Sequence, residues 1–158
     1  VTWSDADSLY GSKRMAARLA ESGAREEIAA MVNLDMIGDG DLGIVRETLS
    51  TPWVFDALVR SAERQGLRGI FNGARGSIED DHVPFLRLGV PAADLIDFDY
   101  GAARGTNDYW HTAADTPNKL SAKSLAAVGR VVVGALAELS KGEPRRFAAD
   151  GGAARENR

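Results

Sequence analysis

The run Ile28-Ala29-Ala30-Met31-Val32-Asn33-Leu34-Asp35-Met36-Ile37, closed by Gly38, decides the fold class of this chain. Nearly all of it is apolar, which suits a strand buried on both faces in the middle of a sheet. Before it, the polar opening Ser4-Asp5-Ala6-Asp7-Ser8 leads into Leu9, Tyr10, Met15 and Leu19 at roughly helical spacing. Asp7 or Ser8 as N-cap and Gly23 as stop predict a helix over about 8–22. After it, Asp39-Gly40-Asp41 makes a turn and Leu42 to Arg46 a short second strand. Thr51-Pro52 pairs a capping residue with a proline suited to the first helical position, and predicts an amphipathic helix over 51–65.

Further along, Leu67 to Phe71 reads as a weak strand and the Gly-rich piece Asn72 to Ser77 as a loop. Val83 to Leu88 is a short helix stopped by Gly89, and Ala92 to Phe98 a second apolar strand. Asp99 to Asn107 is a long Gly/Ala loop. Ser121 caps a final helix to about Ser140, with Leu125, Val128, Val132, Leu136 and Leu139 on one face. Residues 1–141 read as part of one domain, and the charged, small-residue-rich segment 142–158 as a disordered tail. Strands alternating with helices predict an α/β domain, its mixed, mostly parallel central sheet flanked by helices.

Composition narrows the function. A length of 158 residues suits one ordinary domain with one core, and 44% apolar with 27% charged residues is a soluble, globular balance. No apolar run is long enough to span a bilayer. A formal net charge of -4 with scattered basic residues argues against a nucleic-acid partner. There are no cysteines, so a metal would have to be held by carboxylates and by the two histidines, His82 and His111. Oligomeric state is left open.

Ligands in open α/β sheets bind outside the carboxyl ends of the strands, which directs attention to three places. Asp35 stands near the end of the first apolar run, where a carboxylate is costly unless paired or metal-bound. A turn-forming Asp just past the strand is the alternative. Glu79-Asp80-Asp81-His82 places three adjacent carboxylates before Val83-Pro84-Phe85-Leu86, and like charges this close repel unless a cation or proton intervenes. One of these acids capping the short helix, with His82 packed against it, is the plainer account. Tyr109-Trp110-His111-Thr112 ends the long loop, and a histidine there suits either a ligand walled by aromatics or a surface position.

Together these segments resemble the zinc exopeptidases of metallopeptidase family twenty-eight, which includes bacterial aminopeptidases and glutaminyl cyclases. The resemblance rests on Asn33-Leu34-Asp35-Met36-Ile37-Gly38, on Asp80-Asp81-His82-Val83-Pro84-Phe85-Leu86-Arg87-Leu88-Gly89-Val90-Pro91, and on Trp110-His111-Thr112-Ala113-Ala114-Asp115-Thr116. The opening Trp3-Ser4-Asp5-Ala6-Asp7-Ser8-Leu9-Tyr10-Gly11-Ser12 looks more like the cyclase branch. The similarity covers about residues 3–140 and implies a zinc exopeptidase-like fold, incomplete at its N-terminus, that acts on the N-termini of peptides.

By that resemblance His111 matches a zinc ligand. Asp35 matches an acid that binds one of two zincs in the aminopeptidases and belongs to a proton relay beside a single zinc in the cyclases. Asp80 matches the second relay acid of the cyclases, where many aminopeptidases look to carry a small hydroxyl residue. Trp3 and Trp110 match aromatic walls of the cyclase pocket, and Asp81 and His82 are architectural in both branches. The loop Asp99 to Tyr109 looks longer than in animal cyclases. The family's Glu-Glu pair and bridging Asp fall before Val1, so this chain alone is expected to bind zinc weakly and to be inactive. Relatives of this kind in bacteria are commonly exported, which is the expectation here.

Overall fold

A computed structural model describes residues 9–142. Its elements, in chain order, are helix α1 (Tyr10–Ser22), strand β1 (Met31–Asp35), strand β2 (Arg46–Glu47), helix α2 (Pro52–Arg64), strand β3 (Arg75–Gly76), helix α3 (Val83–Leu88), strand β4 (Ala92–Ile96) and helix α4 (Ala122–Leu139). Single 3-10 turns lie at Ala24–Glu27, Arg68–Ile70 and Pro117–Lys119. β1 pairs with β4 and β2 with β3, both in parallel, and the expected mixed α/β class with mostly parallel strands is borne out.

β4 is the centre of the molecule, and all five of its residues are buried. Side chains alternate across a strand. Ala93 and Leu95 accordingly enter one cluster with Ile44, Val54, Leu58, Val128 and Val131, under α2 and α4. Ala92 enters a second cluster with Phe85 and Val90, packed against Leu19 and Met31. β1 is only half-buried and Leu34 is 43% exposed, because among the described residues β1 has a strand on one side alone. Burial on both faces, expected of β1, is met instead by β4.

The helix signals hold at most ends. Gly23 closes α1 with a φ of 73°, a left-handed conformation that costs glycine little. Ser121 caps α4, its hydroxyl accepting from the Ser124 N–H at 3.3 Å. Pro52 opens α2, but the Thr51 hydroxyl does not cap it; that oxygen accepts from the Ala92 N–H at 3.0 Å and ties α2 to β4. α1 starts at Tyr10 after Leu9, and the expected caps Asp7 and Ser8 lie outside the described residues. All but the first residue of the expected tail, 142–158, likewise lies outside them.

Three further expectations need correction. Leu67 to Phe71 is no strand: the N–H groups of Ile70 and Phe71 bond three residues back, to Leu67 and Arg68, and close a 3-10 turn. Leu42 to Val45 forms no strand although Ile44 enters the core, and the strand itself is Arg46–Glu47, paired with residues expected to be loop. The inward face of α4 is Ser124, Val128, Val131, Ala135 and Leu139, whereas Leu125 and Leu136 are exposed. α4 is apolar on nearly every side, so polarity did not select its face. Small residues did: the Ser61 hydroxyl of α2 donates to the Val131 carbonyl at 2.7 Å, a contact that needs the two helices close. No helix among the described residues is long and apolar enough to cross a membrane.

Candidate active site

A cavity of about 580 Å³ opens beyond the carboxyl ends of β1 and β4. Asp35 and Ile96, the last residues of the two strands, share its lining with Asp80, Phe98, Trp110 and His111. Segments far apart in the sequence, from Leu9 to His111, thus meet in one place, and four of the five site residues expected from the sequence are among them. The fifth, Trp3, lies outside the described residues.

Asp35 ends β1, and the chain then turns through Met36 in the left-handed region at φ 53°. A residue other than glycine held there is strained, and such strain gathers at functional sites. Burial pushes the Asp35 carboxyl up to about 6, helped by the charge of Asp80 and a side-chain hydrogen bond with it, and opposed by the Met36 N–H. Two carboxyls within hydrogen-bonding reach can be accommodated when one proton lies between them.

The acidic triplet divides. Glu79 is exposed and pairs with Arg87 at 3.0 Å. Asp80 does not cap α3 with its side chain; its Oδ1 accepts from the Asp81 N–H at 2.5 Å, and its carbonyl from the Val83 N–H at 2.8 Å. His82 is fully buried, with Nε2 3.5 Å from Glu47 Oε2 and Nδ1 3.8 Å from Asp94 Oδ2. These are charge-range contacts, longer than good hydrogen bonds. His82 is therefore not part of the cavity lining, although its chain neighbour Asp81 is.

His111, like Met36, has a positive φ, at 55°. Its ring stacks on Trp110, with centroids 4.3 Å apart, and Trp110 in turn meets Phe98 at 5.6 Å. The loop that bears them is pinned at Tyr109. That ring packs edge-on to Tyr100 and lies under the Lys119 ammonium at 4.5 Å, while the Tyr100 hydroxyl donates to Asp115 at 2.7 Å. The hydrogen bond to Asp115, with burial and nearby acids adding to it, pushes the Tyr100 hydroxyl up to about 12.

Sequence reading missed the buried acids. Asp94 is wholly buried and pushed up to about 7, by burial first and then by the charge of Asp80, against the pull of His82 and Asn33. Asp97 is wholly buried too, bonded by the N–H groups of Gly43 and Asp99. A signal existed: Asp94 interrupts an apolar run as Asp35 does. Glu47 carried none, being one acid in a polar stretch.

Imidazole nitrogen and carboxylate oxygen are donors that zinc takes, and His111 and Asp35 bring one of each to the cavity. Among the described residues no three His, Asp or Glu side chains converge into a metal-holding group. A catalytic zinc site takes three protein ligands. The described residues fit part of such a site.

The sequence model for Peptidase family M28 matches residues 5–136, and the chain belongs to that family. The glutaminyl-peptide cyclotransferase of Boiga irregularis is 31% identical over 157 residues, covering 84% of this chain and 40% of its own length. Among solved structures, the glutaminyl cyclase of an Acidobacteriales bacterium matches with a TM-score of 0.81 at 40% identity, covering 89% of this chain and 48% of its own. The aminopeptidase of Aneurinibacillus sp. strain AM-1 matches with a TM-score of 0.62 at 31% identity, over 83% of this chain and 30% of its own. The chain spans less than half the length of each of these relatives. Both branches that the sequence motifs resemble are represented.

Proposed function

We propose that this chain forms one wall of the active site of a zinc-dependent enzyme that cyclises the N-terminal glutamine of peptides to pyroglutamate, releasing ammonia. The observation that carries this is the Asp35–Asp80 carboxyl pair in a cavity that Phe98 and Trp110 also line. In the reaction the substrate's α-amine forms a bond to its own γ-carbonyl carbon while the bond to the amide nitrogen breaks. The amine must lose a proton and the departing nitrogen must gain one. A carboxyl titrating at about 6 can hold and release a proton near neutral pH. Asp35 and Asp80 together would keep that proton available. Trp110 and Phe98 offer an apolar surface on which a glutamine side chain can fold back, so that intramolecular attack costs little further ordering.

His111 is the zinc ligand in this proposal, and Asp35 a second one if the site holds two ions. Bound zinc would supply Lewis-acid polarisation of the carbonyl. With so few donors among its described residues, the chain by itself is proposed to hold zinc weakly and to be inactive. Export from the cell is proposed by analogy with bacterial relatives.

A second possibility is hydrolysis of the first peptide bond, favoured by the likeness to the Aneurinibacillus aminopeptidase. Mass spectrometry of a Gln-initiated peptide incubated with the full-length, zinc-loaded protein tests both. Loss of ammonia alone supports cyclisation; loss of the whole first residue replaces it with the aminopeptidase. An intact peptide, with a Leu-initiated control also intact, leaves a non-catalytic binding relative.

A further inference from the structure

The side chain of Glu47 is wholly buried outside the cavity lining, and nothing in the proposed chemistry uses it. Burying an ionised carboxylate is costly unless its lone pairs are taken up. Those of Glu47 are. Oε1 accepts from the Leu49 N–H at 2.8 Å and the Ile78 N–H at 3.2 Å. Oε2 accepts from the Ser50 N–H at 2.6 Å and the Ser50 hydroxyl at 2.8 Å, and faces His82 Nε2 at 3.5 Å. Burial opposes its charge, yet His82 and these donors together bring it down to about 2, so it is ionised at neutral pH.

The bonds to Leu49 and Ser50 close a local turn. The other two contacts reach more than 30 positions along the chain. Ile78 lies two residues before Asp80 and His82 two residues after, so one carboxylate holds the acidic segment by a hydrogen bond on one side of Asp80 and faces the buried imidazole on the other. The same network extends to the strand of Asp35. Ser50 Oγ accepts from the Asp94 N–H at 3.0 Å, and Asp94 Oδ1 accepts from the Asn33 side chain at 3.1 Å, two residues before Asp35 on β1. The two cavity acids are therefore referred to one buried frame.

We propose that Glu47 is a positioning residue for Asp80, fixing the 78–82 segment at both ends so that the Asp80 carboxyl stays within reach of Asp35. It touches no substrate and acts only through Asp80, and its effect on turnover rests on the function proposed above.

The test pairs Glu47→Gln, which keeps the reach and one acceptor oxygen, with Asp80→Asn, singly and together, in the full-length zinc-loaded protein. Backbone amide exchange is measured alongside kcat and KM. If Glu47 works through Asp80, Glu47→Gln lowers kcat by about 10- to 100-fold. KM then changes by less than about threefold. In the Asp80→Asn background the same change costs less than about twofold, since the group it served is already gone. Exchange then quickens at the Asp81 and Val83 amides, both bonded to Asp80, and stays slow at Leu58 and Val131 in the core.

Equal losses of kcat in both backgrounds overturn the proposal. So does unaltered exchange at Asp81 and Val83, or acceleration spread evenly through α2 and α4, which is a general loss of stability. A parent protein with no turnover of Gln peptides defeats the functional proposal alone. The exchange pattern needs no activity and decides the positioning role in that case, as it does if Asp80→Asn leaves no measurable rate.

Discussion

The imidazole of His111 lies nearly flat on the indole of Trp110, with planes inclined by 24°. The two are chain neighbours, and adjacent side chains in a regular strand point to opposite sides. Here the left-handed backbone at His111 brings both rings to one cavity wall. In the proposed site, ligand and substrate wall are therefore neighbours in sequence without competing for space.

Replacing His111 with Ala in the full-length protein is expected to abolish zinc-dependent turnover and lower bound zinc after dialysis. Metal analysis beside a peptide assay reads both. Unchanged zinc content and turnover would remove His111 from the ligands.

Asp80→Ser distinguishes the two chemistries. It removes the proposed proton-sharing partner of Asp35 but leaves Phe98 and Trp110 in place. Cyclisation of a Gln peptide is expected to fall by about 100-fold or more, in line with the loss of a general acid or base. Any hydrolysis of a Leu peptide should fall far less, and equal losses would count against the cyclase assignment.

Glu47 makes an acid-labile contribution to stability. Its folded value of about 2 lies below the ordinary 4.5, so the contribution is present above pH 4.5 and is lost as pH falls from there through 2. The displacement corresponds to about 3 kcal/mol. Melting temperatures of Glu47→Gln should lie below those of the parent at neutral pH and converge with them towards pH 2. A constant gap across that range would contradict the assignment.

Asp94 has the opposite sign. Its carboxyl is raised from 3.8 to about 7, so its protonated form favours the fold below pH 3.8 and that support is lost as pH rises through 7. Asp94→Asn preserves an oxygen to accept from Asn33, and in chelator-treated protein it is expected to melt higher than the parent above pH 7. The gain should vanish below pH 4. A gain of the same size at both pH values would mean that ionisation of Asp94 is not its source.

The core makes a conventional prediction. Leu58 is wholly buried on α2 among Ile44, Leu95 and Val131, and Leu58→Ala should cost about 3 kcal/mol in denaturant unfolding. A loss under about 1 kcal/mol would mean the site collapses around the gap.

The amino-acid sequence by itself determined the α/β class, α2, α3 and α4 to within a residue or two, and four of the residues lining the cavity. These follow from local causes: apolar periodicity, a Ser cap, a proline at a helix start, and carboxylates in runs where they are costly. Family membership was legible in the motifs for the same reason, since they hold their spacing within short segments. Tertiary structure alone decided which face of α4 turns inward, because that helix is apolar almost all round and close approach to Ser61 makes the choice. It also decided that β4, rather than β1, is the fully buried strand, which depends on the neighbours each strand has. The buried frame of Glu47, His82 and Asp94 belongs to the same class. A carboxylate's charge state depends on dielectric and on donors from distant segments, and residues 47, 82 and 94 acquire both only when the chain has folded.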